Sequence, residues 1–249
     1  MTIAAISAFS SAYAQSDFFG KGIFWGLFLL SAITWFLILY KFYVLRQVKK
    51  LSANFQKIID QKKNSVLEIS LDQISIPPKS ISIPFIDLYL SIKKKTIELL
   101  DKNHFFLSKQ ESAEPSRVYL SHIDMEFMES YAQTLIESKK EKLEKDLFIL
   151  STISTLAPFL GLLGTVWGIL VTFTGLGSGG SLSSNSAILS GLSTALTTTV
   201  LGLLIAIPSL IAYNYFRNVI KTYYSDMQDF GSHLLSTIEL QYRKVDLGP

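Results

Sequence analysis

With 249 residues, 49% of them hydrophobic, and a mean hydropathy of +0.33, this chain is too apolar for an ordinary soluble domain or a disordered segment. It has no cysteine, which excludes disulfides, thiol catalysis and cysteine–metal sites. Its net charge of +3 is small and dispersed, which removes nucleic acid from the partners to consider.

Residues 1–21 contain Ala12-Tyr13-Ala14, which has the small-residue form of a signal-peptide cleavage site. No Lys or Arg precedes it, and the apolar stretch is short and rich in serine. The preferred reading is a short interfacial segment with Phe18 and Phe19 at the membrane surface; a disordered tail is the alternative, and cleavage stays open. Residues 22–40 carry no charge between Lys21 and Lys41, enough for one helical crossing at ~20 residues per span. Trp25 near one end and Tyr40 and Tyr43 near the other suit interfacial belts.

Residues 41–146 read as a cytoplasmic helical insertion. Phe42, Leu45, Val48, Leu51, Phe55 and Ile58 step by three or four, so the first span is expected to continue as an amphipathic helix. Ile76-Pro77-Pro78 and Ile83-Pro84 interrupt it, since proline removes a donor and restricts its predecessor. A second helix is expected from Pro84 to about Ser112, and a third from near Ser116 directly into the next span. The run from Lys139 to Asp146 reads as a solvated face with pairs such as Glu141–Lys145. No compact domain that would fold alone is evident in this stretch.

From Leu147 to Phe216 there is no Asp, Glu, Lys, Arg or His. The run fits two crossings, 147–174 and 187–214, joined by a Gly/Ser-rich loop at 175–186. On the first of these, Pro158, Gly161, Thr165, Gly168 and Thr172 share one face, widened by Ala157 and Gly164. On the second, Gly191, Ala195, Thr199, Gly202, Ala206 and Ser209 do the same, with Thr194 and Thr198 beside them. Small residues at this spacing let backbones approach closely in lipid, where packing replaces the hydrophobic effect. The threonines add a polarity that plain packing does not require, although some can bond to their own preceding turn. Residues 215–249 read as a C-terminal helix or tail. Lys41, Arg46, Lys49 and Lys50 follow the first span, and Arg217, Lys221, Arg243 and Lys244 follow the last. The positive-inside rule therefore puts the N-terminus and the 175–186 loop outside, and residues 41–146 and the C-terminus inside. The expected fold is an all-α membrane protein, three transmembrane helices extended into a cytoplasmic helical region.

Motifs of enzymes are absent, and no cofactor or metal is expected. His104, His122 and His233 are far apart in sequence and read as surface histidines, while Asp124, Glu126 and Glu129 read as a solvated acidic patch.

The stretch Ala157-Pro158-Phe159-Leu160-Gly161-Leu162-Leu163-Gly164-Thr165-Val166-Trp167-Gly168-Ile169 resembles the second transmembrane helix of the TolQ/ExbB/MotA proton-channel family. Gly202-Leu203 through Ile207-Pro208, closing with Ala212-Tyr213-Asn214, resembles the matching third helix. The similarity covers roughly the last hundred residues and is nearer the three-span TolQ and ExbB branches than the four-span flagellar one. It implies a bacterial inner-membrane subunit, five copies of which surround two helices of a TolR/ExbD-type partner. That partner's single membrane helix brings a titrating Asp. The resemblance makes Thr165 and Thr199 the pathway threonines, with Pro158, Gly161 and Gly164 in the motif that seats them. In TolQ and ExbB a glutamate commonly stands where this chain has Thr194, and a threonine cannot titrate.

The residues themselves agree that this chain cannot relay protons by side-chain titration within its spans. Buried carboxylates or histidines usually do that work, and none lies within 22–40 or 147–216. Phenols as a class titrate near ~10, too high for turnover at neutral pH. The chain can supply a threonine-lined wall, with Gly168, Thr172, Ala195, Thr198, Gly202, Ala206 and Pro208 lining or packing it. The function expected is a subunit coupling proton-motive force to envelope maintenance or outer-membrane import. A non-conducting oligomeric scaffold is the alternative; a small-ligand transporter is disfavoured by the absence of intramembrane charge.

Overall fold

The structure is a computed structural model that describes residues 10–14, 16–61, 83–108, 119–177 and 185–242. Most of the Gly/Ser loop, the Ile76-Pro77-Pro78 break, Glu114-Pro115, residues 1–9 and residues 243–249 lie outside them. Five long helices follow a helical turn at residues 10–14: α1 Phe18–Gln61, α2 Pro84–Ser108, α3 His122–Glu144, α4 Leu147–Gly177 and α5 Asn185–Tyr242. Three of the described helical runs are long and apolar enough to cross a membrane, with mean hydropathies of 2.1, 1.9 and 2.1 in their apolar windows. The chain is an all-α membrane protein.

Helix starts have local causes. Asp17 caps α1, its Oδ1 accepting from the Gly20 N–H at 2.9 Å. The expectation that a helix begins near Ser116 is corrected by α3, which begins at His122. Ser121 and Asp124 form a capping box there, each side chain accepting from the other's backbone N–H. That assigns Asp124 to helix capping, where the acidic-patch reading had left it solvated. Burial acts to raise its carboxyl, but bonds from the Ser121 N–H, Asn103 and the Ser121 hydroxyl, with the charge of Lys102, outweigh that and lower it. A two-residue turn at 145–146 separates α3 from α4.

The chain divides into two compact units, residues 1–42 with 146–217, and residues 43–145 with 218–249. In the first, Ile23 and Leu27 of α1, Ile153 and Ala157 of α4, and Ile205 and Ala206 of α5 form the buried cluster. Lys41 is nearly enclosed and pairs with Asp146 at 2.9 Å. At the other end of the same two helices, Asp17 Oδ2 accepts from Trp167 Nε1 at 2.9 Å, and Phe19 packs on the Trp167 ring at 4.4 Å. On α1 these two clamps are ~36 Å apart at 1.5 Å per residue, slightly more than a ~30 Å hydrocarbon core.

The second unit is built on aromatic rings. Phe55, Phe85, Tyr89, Tyr223 and Phe230 contact one another at centroid distances from 5.1 to 6.2 Å. Around them lie Val48, Leu88, Ile92, Met128, Ala132, Ile136, Met227, Leu234 and Ile238. Residues 223, 227, 230, 234 and 238 of α5 share a helical face, so the end of α5, within residues 218–242, is part of this core. That explains why residues 41–146 alone show no self-sufficient domain: the missing face arrives from the end of the chain. Ser52 and Tyr223 share a 2.6 Å hydrogen bond between buried hydroxyls. Burial pushes the Tyr89 hydroxyl up to about 12 and also raises Tyr223. The expected Glu141–Lys145 pair is not among the ion pairs of the described residues; Lys139 instead pairs with Asp87 of α2.

Candidate functional site: the threonine hairpin of α4 and α5

The small residues singled out in the sequence meet inside one chain. A Cβ placed on Gly161 would come within 2.8 Å of the Thr198 carbonyl oxygen and 2.9 Å of the Thr199 Cα. One on Gly202 would lie 2.5 Å from the Ala157 carbonyl oxygen and 3.3 Å from the Gly161 Cα. Both obstacles are backbone, which cannot swing aside, so only glycine permits this approach. Gly164 faces Thr198, Gly168 faces Ala195, and Gly191 faces Thr172. These residues therefore pack α4 against α5 of the same chain. The faces they leave outside are apolar, with Phe159, Leu162, Val166, Leu196, Val200 and Leu203 exposed. Pro158 and Pro208 both sit inside their helices, each removing one N–H from the ladder. Polar bonds cross the interface at different heights, among them Ser209 Oγ to the Leu150 carbonyl at 2.8 Å and Thr199 Oγ1 to the Gly161 carbonyl at 3.0 Å.

Because glycine leaves room, three threonines converge on one turn of α4. Thr165 Oγ1 and Thr199 Oγ1 are 3.3 Å apart. Thr165 donates to the Leu162 carbonyl at 2.7 Å, and Thr198 donates to the Ala195 carbonyl at 2.7 Å with the Gly161 carbonyl 3.1 Å away. A hydroxyl has one proton and two lone pairs. With both protons committed to carbonyls, the Thr165–Thr199 pair presents lone pairs and would accept from a proton donor. Thr172 donates to the Gly168 carbonyl and Thr197 to the Ser193 carbonyl, so neither reaches that pair. Thr194 is half-buried and lines, with Thr172, Thr198, Gly164 and Gly168, a groove of about 330 Å³. Ala206 belongs to the buried cluster with α1.

Sequence reasoning had no access to three groups placed here by tertiary structure. Asp17 reaches the groove from the start of α1. The Lys41–Asp146 pair joins residues more than a hundred positions apart. Thr34 on α1 is buried, donating to the Leu30 carbonyl at 2.8 Å. Only Asp17, an N-cap type just before an apolar run, carried a local signal.

The model of the MotA/TolQ/ExbB proton channel family matches residues 101–229, more than half of the chain. The chain belongs to that family. It is 42% identical over 98 residues to the biopolymer transport protein ExbB of Aquifex aeolicus, covering 37% of this chain and 66% of that protein. To ExbB of Salmonella typhimurium it is 38% identical over 99 residues, or 39% of this chain and 38% of that one. To the Tol-Pal system protein TolQ of Pseudomonas aeruginosa it is 34% identical over 128 residues, half of this chain and 52% of that one. The matches thus span between about a third and two thirds of these relatives' lengths. The matched region takes in the hairpin and the Thr165–Thr199 pair. Membership in the MotA/TolQ/ExbB proton channel family, with three apolar helical runs, makes this an inner-membrane protein.

Proposed function

We propose that this chain is the proton-channel subunit of a TolQ/ExbB-type motor, a homopentamer acting with a TolR/ExbD-like single-span protein whose membrane helix carries an Asp. The observation that carries the reading is the Thr165–Thr199 pair, set in a hairpin whose spans hold no Asp, Glu, His, Lys or Arg. Such a wall cannot take up a proton, so the titrating group has to come from a partner. The lone pairs of the two hydroxyls suit the protonated form of that carboxyl, which can donate to them. They would hold the neutral Asp in place while it turns, and release it on ionisation. Inward proton flow would then drive the partner in envelope maintenance or outer-membrane import. The N-terminus and the 175–186 loop would be periplasmic, and residues 41–146 and the C-terminus cytoplasmic.

One observation favours the scaffold reading instead: Thr165, Thr198 and Thr199 all donate to carbonyls, as purely structural threonines do. Proton uptake by proteoliposomes under an imposed gradient separates the two. Flux should appear only with both proteins present. Thr165→Val and Thr199→Val should each lower it roughly ten-fold, the equivalent of one hydrogen bond of about 1.4 kcal/mol, with pentamer and partner retained. Thr194→Glu should be tolerated or raise flux and Thr194→Val should lower it. Equal flux without the partner, or unchanged flux in the Thr165 and Thr199 variants, rejects the channel reading. Cysteines at Ser80 and Ser181 test the topology: an impermeant thiol reagent on intact cells should reach Ser181 only.

A further inference from the structure

The groove beside the hairpin contains one titratable side chain, and it comes from outside the spans. Its lining runs from Ser16, Asp17, Gly20 and Phe24 at the start of α1 to Trp167 and Thr172 on α4 and Thr194 and Thr198 on α5. At ~30 Å³ per water, 330 Å³ has room for a chain of waters, and the lining offers hydroxyls along its length. Thr198 Oγ1 lies 3.1 Å from the Gly161 carbonyl, which accepts from Thr199 of the pair. Asp17 is exposed, so its carboxylate meets bulk water and the groove at once. The surroundings carry little to neutralise it. The groove-lining residues of α4 and α5 have no charged side chain. The cation nearest in sequence, Lys21, extends its ammonium over the Tyr13 ring, 5.9 Å from the centroid, and makes no ion pair with Asp17 among the described residues. No histidine lies in this unit.

We propose that Asp17 is the proton-collecting carboxylate at the mouth of the channel, passing protons through groove waters past Thr172 and Thr194 toward the Thr165–Thr199 pair. This rests on the channel reading and adds to it a residue outside the spans. A negative charge at the mouth of a low-dielectric groove concentrates protons there, and the carboxylate can take one from water and return it to a groove water with no other change. The competing role is mechanical, because Asp17 caps α1 and holds Trp167.

The substitutions separate charge from latch. Asp17→Asn keeps one side-chain oxygen, enough for the cap, but removes the charge and the second acceptor that Trp167 uses, a loss that Trp167→Phe reproduces by itself. Trp167→Phe keeps the ring on Phe19 but removes the donor. In proteoliposomes holding this chain and its partner, Asp17→Asn should lower flux about ten-fold, the smaller end of what a focusing charge supplies. Asp17→Glu should restore most of it, and Trp167→Phe, at a residue of the groove wall, should lower it by clearly less than Asp17→Asn does. A second measurement needs neither partner nor flux. In a Trp25→Phe, Trp35→Phe background, Trp167 emission should titrate with pH and become flat on Asp17→Asn. Parental flux in Asp17→Asn, an equal loss in Trp167→Phe, or a titration that survives Asp17→Asn overturns the assignment. If the parent pair itself carries no protons, the channel reading fails, and the emission titration still decides whether Asp17 exchanges protons beside the groove.

Discussion

Where α4 and α5 cross, the interface is made by what is missing: Gly161 and Gly202 bring backbone to within contact of backbone, and hydroxyls occupy the space released. In the second unit the same α5 does the opposite, driving Tyr223, Met227 and Phe230 between rings from α1 and α2. Solvent explains the difference. Lipid tails are as apolar as any side chain, so a membrane hairpin gains nothing by burying a ring and much by close packing and interhelical bonds. Burial of an aromatic against water repays its full area. A helix that crosses both environments therefore changes its interface chemistry along its length.

The strongest way to break the second unit alone is to remove a ring from its centre. Phe230 contacts both Phe55 and Phe85. Phe230→Ala should cost about 3–5 kcal/mol, read as lost protease resistance of residues 43–145 in detergent, with Trp167 emission of the hairpin unchanged.

The contrast is sharper at two glycines of the same helix. Gly202→Ala places a methyl against the Ala157 carbonyl, which cannot yield, and should destabilise by about 3 kcal/mol. Gly231→Ala meets only the Ile136 Cδ1 at 3.2 Å and the Leu88 Cδ2 at 3.9 Å, both ends of flexible side chains. It should be neutral, or stabilising by up to ~1 kcal/mol from helix propensity. Thermal unfolding of the two variants in one detergent checks the pair; equal shifts would remove the distinction between the interfaces.

The fold was legible to the extent that solvent wrote it. Uncharged runs at 22–40 and 147–216 overlap the three described helical runs long and apolar enough to cross a membrane, and the stripe through Gly161 and Gly202 marked which faces pack. What that stripe did not reveal was its partner. Spacing along one helix is the same whether the neighbour belongs to the same chain or another copy, and here Gly161, Gly164 and Gly168 all meet α5 of their own chain. The C-terminal stretch was read as a helix or tail because its apolar face at 223, 227, 230, 234 and 238 has no local complement. Asp146 was invisible as the partner of Lys41, and Asp17 showed only the signal of a helix cap, since each lies at a span's edge where a solvated charge is ordinary.

The Lys41–Asp146 pair brings an ionic contact into the glycine-built unit. Lys41 is nearly enclosed, while Asp146 keeps about a third of its side chain exposed. Lys41→Met should thus cost on the order of 2 kcal/mol, below the ~3–5 of a fully buried pair broken on one side. The loss should shrink when Asp146→Asn is added, and a double-mutant cycle of melting temperatures measures it.

The smallest expected effect lies at the α3 cap, and pH identifies it. Ser121 and Asp124 satisfy N–H groups that the first turn leaves open, and Asn103 of α2 donates to the same carboxylate at 3.0 Å. Ser121→Ala should cost about 1 kcal/mol, the usual value of such a cap. The acid limb follows from the lowered Asp124 carboxyl. A folded-state value below the unfolded one means that the unfolded chain binds the proton first as pH falls. The contribution is therefore whole above the model-peptide value of 3.8 and is lost as pH drops through the lower folded value. Asp124→Asn should lower the melting temperature at neutral pH, where the contribution is whole, and flatten this limb below pH 3.8. An acid limb unchanged in Asp124→Asn would assign it to other carboxylates of the second unit, such as Asp87 in its pair with Lys139.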